Sequence, residues 1–407
     1  MNPNIRFLIA AIVFGMVFQP AFVRAQGALT PPGAPVPAMK TLDQIEARTP
    51  IGYAGYSITT PGSYYLTANL VTANSGDVII IHTNGVTLDL NGFTLFSTAT
   101  SAAGAAIEIA APYSDITILN GHIISGVTNN GSGGYGGPGF GYGILAQGVT
   151  RNFHVTGVTV SGCLADGINL GAAPGASTLV ESCTVQNVGG LGIVANTVTH
   201  SAALSCGNSA IVANTVSDST GQCSGSTGDG IHAQLGANNS TGLCNGGDGL
   251  GLSSGAAINC RGQSVSGNGI YIAQGSANGC VGSSSSGNGI LINSGTVNTC
   301  SGLSESEAGI NAGTSDTGIS PTGGIVNNSY GSSQNGDGID SNTLVNGSLG
   351  ISNGNGYGIY CYSSTINSIG YAYGNGIAVE TYICIASWGF DALGYGSIAA
   401  NNKYNVP

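Results

Sequence analysis

The chain has 407 residues, a formal net charge of −11 at pH 7, and only 6% charged residues. Soluble domains usually carry about 25% charged residues, so solubility here must come from neutral polar side chains such as Asn, Ser and Thr. The excess of negative charge disfavours phosphate-rich partners, and the composition therefore predicts no nucleic-acid binding.

The first 25 residues have the pattern of a secretory signal peptide. Arg6 precedes an apolar run over residues 7–18, and Ala25 is a small residue that suits cleavage after it. The run is too short to span a bilayer, and no later segment offers the ~20 apolar residues that a membrane span needs. We therefore expect a secreted protein that acts outside the cell or at its surface, with the periplasm as the alternative.

Two short segments separate the signal peptide from the main part of the chain. Residues 26–38 are rich in Pro and are predicted to form a linker. In residues 39–50, Met39, Leu42 and Ile45 lie at helical spacing, which predicts a short helix. We expect this helix to cover the first unit of the fold, because an uncovered sheet edge invites association.

From residue 51 onward the sequence is periodic. Blocks beginning at Gly255, Gly275 and Gly295 align twenty residues apart, and a fixed period of this size indicates stacked supersecondary units. Each unit holds a short aliphatic segment between Gly, Asn and Asp, which favour turns over helices. A Gly-x-Gly-Ile element recurs in the units, with its aliphatic residue at Ile144, Ile168, Ile193, Ile211, Ile231, Leu250, Ile270, Ile290, Ile310, Ile339, Ile359 and Ile377.

The residues that follow the repeated Ile alternate in character. The second residue on is apolar or small, whereas the intervening residue is chemically mixed, which is the period of a strand with one buried face. Coils of ~20 residues stacked ~4.8 Å apart would line these faces along one core. The sequence therefore predicts an all-β fold, a single-stranded parallel β-helix over residues 51–407.

Two segments depart from the simple repeat. The Gly-rich stretch 128–143 lengthens one coil and is predicted to protrude as a loop. Aromatic residues gather near the C-terminus, where we expect part of the group to form a second cap. They are Tyr357, Tyr360, Tyr362, Tyr371, Tyr373, Tyr382, Trp388 and Tyr395.

Ten cysteines in an exported chain raise the question of disulfides. Cys183, Cys260, Cys280 and Cys300 each precede a repeated Ile by ten residues, so the favoured interpretation is a ladder of small buried side chains. Disulfides are expected instead among the cysteines at other offsets. These are Cys163, Cys206, Cys223 and Cys244.

The segments PGSYYL (61–66) and VTLDLNGFTL (86–95), with the Gly-Asn/Asp-Gly-Ile coils after them, resemble the exported right-handed parallel β-helix repeat proteins of the pectate-lyase-like superfamily. The resemblance covers residue 51 to the C-terminus and implies right-handed coils. It also implies polysaccharide lyase, glycoside hydrolase, epimerase or non-catalytic roles. The chain lacks the Asn-Thr-Asp, Asp-Pro-His-Asp and Arg-x-Pro-x-x-Arg motifs of the enzymatic branches, so the resemblance assigns no catalytic residue.

Ionisable side chains near the loop 128–143 are the candidates for catalysis. Hydrolysis of a glycan needs two carboxyls, and β-elimination needs a base with a cation. The competing interpretation is a set of isolated, solvated side chains. The catalytic candidates are Glu108, Asp115, His122, Arg151 and His154, with Tyr135, Phe140 and Tyr142 as binding residues on the loop.

A column of turn residues is a candidate for Ca²⁺ binding. Asp229 and Asp248 occupy the same position of consecutive coils and are followed there by Asn268 and Asn288. Stacked oxygens of this kind suit Ca²⁺, but the favoured interpretation is that Asp-Gly and Asn-Gly tolerate left-handed turns. We expect no other cofactor.

His232, Tyr271 and Tyr360 occupy the outward position beside the repeated Ile and are candidates for binding sugar rings. The first functional hypothesis is an exported, non-catalytic β-helix with a structural, adhesive or glycan-binding role, whose partner is a polysaccharide or cell-surface glycan. The alternatives are a polysaccharide lyase or glycoside hydrolase acting near loop 128–143, and a fibre subunit that associates with itself through the coil edges.

Overall fold

The structure is a computed structural model that describes residues 47–313, 323–391 and 398–404. The predicted signal peptide (1–25), the linker (26–38) and most of the predicted capping helix (39–50) lie outside the described residues. The end of that predicted helix is instead a strand, because Thr49–Ile51 pairs in parallel with the next coil. The described residues contain no helix, and those from Arg48 onward form a parallel β-helix.

Each coil contributes strands to three parallel sheets, which we name A, B and C in chain order. Sheet A carries the repeated Ile, as in the pairing of Ile270 with Ile290 and of Ile290 with Ile310. These side chains are 0% exposed, which confirms the predicted inward column. The strands of sheet A alone are Tyr56–Ile58, Ile79–Ile81, Ala103–Ile109, Phe140–Ala146, Ile168–Asn169, Leu250–Leu252, Ile270–Ile272, Ile290–Ile292, Ile310–Ala312 and Ile339–Ser341.

Sheet B follows sheet A after a corner in each coil. In several coils the strand runs through the corner without a break, which joins the sheets into one hydrogen-bonded set of 40 strands. The strands of sheet B alone are Thr49–Ile51, Gly62–Leu66, Val86–Asp89, Thr178–Glu181, Gly255–Ile258, Gly275–Asn278, Gly295–Asn298, Gly324–Asn327 and Leu344–Asn346. The strands that run from A to B are Ile193–Thr199, Ile211–Ser217, Ile231–Asn238, Ile359–Ile366, Val379–Ile385 and Ile398–Tyr404.

Sheet C completes the coil before the chain turns back to sheet A. Two strands, Ser114–Ile124 and Arg151–Ser161, run from B to C. A separate antiparallel hairpin of Thr128–Asn129 and Tyr135–Gly136 lies in the Gly-rich loop. The strands of sheet C alone are Leu70–Thr72, Thr94–Ser97, Thr184–Val188, Ala202–Cys206, Thr220–Cys223, Thr241–Cys244, Arg261–Ser264, Val281–Ser284, Ser301–Ser304, Tyr330–Ser333, Leu349–Ser352, Ile369–Ala372 and Trp388–Asp391.

One position of the predicted repeat is wrong. Ile359 pairs with Val379, so Val379 is the inward residue of that coil, and Ile377 lies two residues before it. The twenty-residue period from Ile359 leads to Val379, whereas the Gly-x-Gly-Ile element of this coil ends two residues earlier, at Ile377. Glu380 therefore becomes the outward neighbour of the repeat residue in this coil.

The Gly-rich coils fold because the interior is narrow where sheet C faces the turn into sheet A. Gly262, Gly282 and Gly302 occupy the same inward position of consecutive coils. A Cβ atom added at Gly262 would lie 1.9 Å from the carbonyl oxygen of Gly269, so a side chain does not fit there. Glycine at this position lets the backbones approach, and it leaves the Ile column of sheet A to fill the core.

A ladder of thiols and hydroxyls forms the corner between sheets B and C. The N–H of Cys260 donates to Sγ of Cys280 (3.4 Å), and the N–H of Cys280 donates to Sγ of Cys300 (3.3 Å). The ladder continues with Ser, as in the hydrogen bond from the N–H of Cys300 to Oγ of Ser329 (3.2 Å). All three thiols are free and buried, so the predicted cysteine ladder is confirmed.

Cys223 and Cys244, on consecutive coils of sheet C, form a disulfide. Both belong to the group in which disulfides are predicted, so this expectation is confirmed. The other two members of that group, Cys163 and Cys206, are free and buried.

Candidate functional site

The catalytic candidates near the Gly-rich loop lie on three different sheets. Glu108 is on the outward face of sheet A, His154 on sheet B and His122 on sheet C. Strands at three walls of a coil point their side chains in different directions, so one sugar unit could not touch all three. The structure therefore does not bring all of the candidates together, although Arg151 and His154 lie on the same strand, Arg151–Ser161.

The polar partners of these candidates are local. Nε2 of His154 lies 3.3 Å from Oε2 of Glu181, and Nε of Arg151 donates to the carbonyl of Gly175 (3.1 Å). Asp115 accepts a hydrogen bond from Nδ2 of Asn152 (2.7 Å). Each side chain thus contacts its own or a neighbouring coil, and Nε2 of His154 is itself buried without a hydrogen bond.

The pKa of Glu108 is raised, first by burial and then by its contact with Asp77. Its carboxylate also accepts a hydrogen bond from Nε2 of Gln147 (3.2 Å), on the next coil. None of His122, Arg151 and His154 shares this face with Glu108, and the basic group that acts on its carboxyl is His82, whose charge lowers the pKa of Glu108.

The aromatic residues of the loop do not form a binding surface. Oη of Tyr135 lies 2.6 Å from the carbonyl of Ser205 and 2.7 Å from Oγ of Ser224, which fixes the loop against later coils. Phe140 is 1% exposed and belongs to the core, so its predicted binding role is wrong. Tyr142 lies half-buried on sheet A beside Ala105.

The Asp and Asn column of the turns is a hydrogen-bonded ladder. The N–H of Asp248 donates to Oδ1 of Asp229 (2.9 Å), and the N–H and Nδ2 of Asn268 donate to Oδ1 of Asp248 (2.7 and 2.9 Å). None of these residues has a positive φ, so the favoured interpretation as left-handed turns is wrong. The side chains instead accept the N–H of the following coil.

His232 adds an imidazole to this ladder. Its Nδ1 lies 2.9 Å from Oδ2 of Asp229, and this hydrogen bond raises the pKa of His232. Burial, together with the charge of Asp229, raises the pKa of Asp248 to about 6. The oxygens on which the calcium hypothesis depends are thus engaged by hydrogen bonds, and the described ranges hold no cluster of three or more His, Cys, Asp or Glu arranged for a metal ion.

His232, Tyr271 and Tyr360 lie in one outward column on sheet A, as the spacing predicts. Near the C-terminus this column contains Asp340, Tyr360 and Glu380 on consecutive coils. With coils ~4.8 Å apart, the two acidic positions are separated by roughly 10 Å across the Tyr360 position. The column therefore combines aromatic and carboxylate groups on one rigid face.

A depression of about 890 Å³ adjoins this end of the column, at the corner between sheets A and B. We call it the C-terminal depression. Tyr362 and Tyr382 occupy its corner on consecutive coils and are 72% and 53% exposed. Tyr360 and Glu380 line it from sheet A, and Ala400 lies on the following coil. Large aromatic side chains with this exposure, grouped around a concavity, are typical of binding surfaces.

The electrostatics of the depression are acidic. The charge of Glu380, followed by burial and by a hydrogen bond to that carboxylate, raises the pKa of Tyr357. Burial, followed by the charges of Glu380 and Asp340, raises the pKa of Tyr360. No Lys, Arg or His is among the described residues that line the depression.

Glu380 is not among the candidates predicted from the sequence, and its aromatic neighbours at the corner are predicted only as part of a cap. Tyr362, Tyr373 and Trp388 are predicted in part as a terminal cap, but they occupy outward or corner positions of regular coils, while Tyr395 lies outside the described residues. The signal in the sequence is the twenty-residue spacing between Ile359 and Val379, which the structure shows to be paired. That register places Glu380 directly beside Tyr360.

Comparisons with known proteins give no match: no family model, no curated protein and no solved structure is similar to this chain. Among the residues that the structure describes, no helix is long and apolar enough to cross a membrane. The pairing of the strands defines the fold as a parallel β-helix solenoid, and the groups available for function lie on its outer surface.

Proposed function

We propose that the protein is an exported, glycan-binding β-helix, and that the C-terminal depression holds a neutral polysaccharide chain. The carrying observation is the exposure of Tyr362 and Tyr382 on consecutive coils at one corner of a concavity that Glu380 also lines. Tyr combines a flat apolar ring with a polar hydroxyl and loses little side-chain freedom on binding, which suits a sugar ring with one apolar face.

The carboxylates favour neutral sugars over acidic ones. A sugar hydroxyl can donate to Glu380 in a charge-assisted hydrogen bond, which is shorter and stronger than a neutral one. A uronate would instead place a second negative charge near Glu380 and Asp340, and none of the described lining residues offers a cation to offset it. Neutral glycans are therefore the proposed class of ligand.

The proposed setting is the cell surface or the extracellular matrix. It is supported by the signal-peptide pattern of residues 1–25 and by the low content of charged residues. The resemblance of the coils to the pectate-lyase-like superfamily agrees with a carbohydrate ligand. This resemblance supports the proposal without assigning an activity.

One observation favours hydrolysis as a second candidate function. Burial, together with the charges of Glu307 and Glu380, raises the pKa of Asp337. The charge of Glu380 acts on Asp337, so two carboxyl groups, the kind of pair that glycoside hydrolysis needs, lie near each other at this end of the chain. An assay for newly formed reducing ends, with wild type and Glu380→Gln, distinguishes hydrolysis from binding alone.

The proposal is tested by screening the mature chain against soluble neutral and acidic oligosaccharides. We expect binding to neutral members, weakened about tenfold or more in Tyr362→Ala/Tyr382→Ala because two ring contacts are lost. Tyr53→Ala is the matched control, since Tyr53 is 61% exposed at the other end of the helix. Equal binding by the double variant, or a preference for acidic glycans, would refute the assignment.

A further inference from the structure

A second groove runs along the corner between sheets B and C, away from the C-terminal depression. It has a volume of about 450 Å³. One wall is made of outward residues of sheet C on consecutive coils, and we call the whole feature the sheet C groove. These wall residues are Val281, Ser301, Tyr330, Leu349 and Ile369, so one hydroxyl interrupts an otherwise apolar wall.

The opposite wall is polar. Asn328 and Asn367 are exposed at left-handed corner positions, each with φ of 47°. At the intervening coil the corner residue is Gly347, so the wall is lower there. The groove thus has an apolar side and an amide side that run together along the helix axis.

The apolar wall is exposed beyond what a solvated surface requires. Val281 is 43% exposed and Ile369 is 38% exposed. The column continues on the next coil to Trp388, which pairs with Ile369 and is 49% exposed. Beyond Ser301 the column is apolar on four consecutive coils, at Tyr330, Leu349, Ile369 and Trp388. An apolar line of this kind on a polar protein is typical of an interaction surface.

The dimensions argue against a second copy of the chain as the occupant. Five coils at ~4.8 Å spacing and a four-residue strand give an area of about 19 Å by 13 Å, roughly 250 Å². A stable interface buries about 800 Å² on each partner. An area of this size suits a short stretch of one linear chain.

Extended peptides and nucleic acids fit poorly. A peptide that adds to a sheet needs a free strand edge, but the strand Leu349–Ser352 is paired with the coils on both sides. Nucleic acid needs cations for its phosphates, and neither wall carries a charged side chain. A neutral sugar chain matches both walls, with its C–H faces on the apolar side and its hydroxyls on the amides.

We propose that the sheet C groove binds a second neutral polysaccharide chain, which lies along the helix axis. The two sites are on different faces, so one molecule bridges two chains; this bridging rests on the proposed function of the C-terminal depression. Binding in the groove itself does not depend on the depression. The protein then acts as a cross-linker of neutral glycans.

The test is co-sedimentation with insoluble cellulose, chitin and β-1,3-glucan, together with retention of a labelled soluble neutral glucan on the pelleted polymer. The groove variant is Leu349→Asn/Ile369→Asn. The matched control is Val71→Asn, because Val71 is 61% exposed on sheet C outside the groove. The depression variant is Tyr362→Ala/Tyr382→Ala, and thermal unfolding checks that each variant is folded.

We expect the groove variant to sediment about tenfold more weakly, and the control and the depression variant to sediment like wild type. Retention of the soluble glucan should be lost in both site variants. Normal sedimentation of the groove variant would overturn the proposal that the sheet C groove binds a glycan. If only the depression variant loses glycan binding, the proposed function of the C-terminal depression survives. Light scattering that shows a dimer abolished by the groove substitutions would also overturn the proposal. Loss of folding in the groove variant is resolved by Ile369→Thr, for which the same weakening is expected.

Discussion

Nδ1 of His232 lies 2.9 Å from Oδ2 of Asp229, and Oδ1 of the same carboxylate accepts the N–H of Asp248. Asp229 therefore connects an outward imidazole of sheet A to the ladder of turn side chains. The second carboxylate of the ladder, Asp248, is held mostly out of water with its pKa raised to about 6. The ladder is thus sensitive to pH at its acidic end.

Asp248→Asn should stabilise the protein at neutral pH. The folded-state pKa of about 6 lies above the ordinary value of 3.8, so the folded chain binds more protons between about pH 4 and pH 6. The free energy of unfolding therefore falls as pH rises through this window. The amide removes the cost of ionisation, up to about 3 kcal/mol at pH 7, and can donate to Asp229 as Asn268 donates to Asp248.

Denaturant unfolding of wild type and Asp248→Asn at pH 4 and pH 7 measures this effect. The reverse change, Asn268→Asp, is the control and should destabilise at pH 7, because it places a carboxylate beside Asp248. Equal pH dependence in wild type and Asp248→Asn would contradict the account. His232 acts in a consistent direction, since its raised pKa gives stability that is lost as pH rises through the folded-state value.

The overall architecture could be predicted from the sequence because it depends on periodicity. The repeated Ile and the twenty-residue spacing report an inward column directly, and the structure confirms it for Ile270, Ile290 and Ile310. The left-handed corner is harder to predict, because Asn-Gly and Asp-Gly pairs favour left-handed turns and therefore indicate Asp229 and Asp248. The positive φ values lie instead at residues such as Asn259 and Asn328, just before the thiol and hydroxyl ladder.

Cys280→Ser should be tolerated, whereas Cys280→Val should destabilise. Sγ of Cys280 accepts the N–H of Cys260 and lies 3.4 Å from the carbonyl of Asn278. Serine makes the same contacts at Ser329 and Ser348, so the change to Ser should cost no more than about 1 kcal/mol. Valine leaves the buried N–H of Cys260 without its acceptor, at a cost of about 1–3 kcal/mol. Denaturant unfolding of both variants measures the difference. Equal stability of Cys280→Ser and Cys280→Val would contradict a stabilising role for the hydrogen bond that Cys280 accepts.

The thiols should be unreactive in the folded protein. The eight cysteines outside the Cys223–Cys244 disulfide are buried, so a reagent in solvent cannot reach them. Burial also raises the pKa of Cys163 to about 12 and that of Cys183 to about 11, whereas hydrogen bonds with Cys260 and Cys300 lower the pKa of Cys280. Titration with a thiol reagent should find no reactive group in the folded state and eight after unfolding without reductant. Fewer than eight would mean a second bridge, for example one that includes Cys206.

Tyr135→Ala should release the Gly-rich loop. The hydroxyl of Tyr135 lies within hydrogen-bonding distance of the Ser205 carbonyl and of Ser224, and its ring lies close to Gly189 and Gly207. Limited proteolysis should therefore cut within residues 128–143 of Tyr135→Ala much faster than in wild type, with Tyr135→Phe intermediate. Tyr142→Ala is the control, and equal cleavage of the Tyr135 and Tyr142 variants would show that Tyr135 does not fasten the loop.

The candidate site could be predicted only in part. The repeat spacing shows which residues share a column on one sheet, but it does not show which residues meet across the corner between two sheets. Tyr360 was found from its place beside the repeated Ile. Tyr362 and Tyr382 were not assigned as a site, since they lie at the corner after the strand segment of sheet A, where the period of two ends. Residues near loop 128–143 looked clustered in sequence, yet an 11-residue strand such as Arg151–Ser161 spans two walls and separates them.

The most direct measurement of the proposed function is hydroxyl-radical footprinting of the side chains, with and without the neutral glycan that binds best. Tyr362 and Tyr382 are exposed and should react strongly in the free protein, as should the control Tyr53. We predict that the glycan protects Tyr362 and Tyr382 and leaves Tyr53 unchanged. Unchanged labelling of both corner tyrosines at saturating glycan, or protection confined to the region of residues 128–154, would contradict the account.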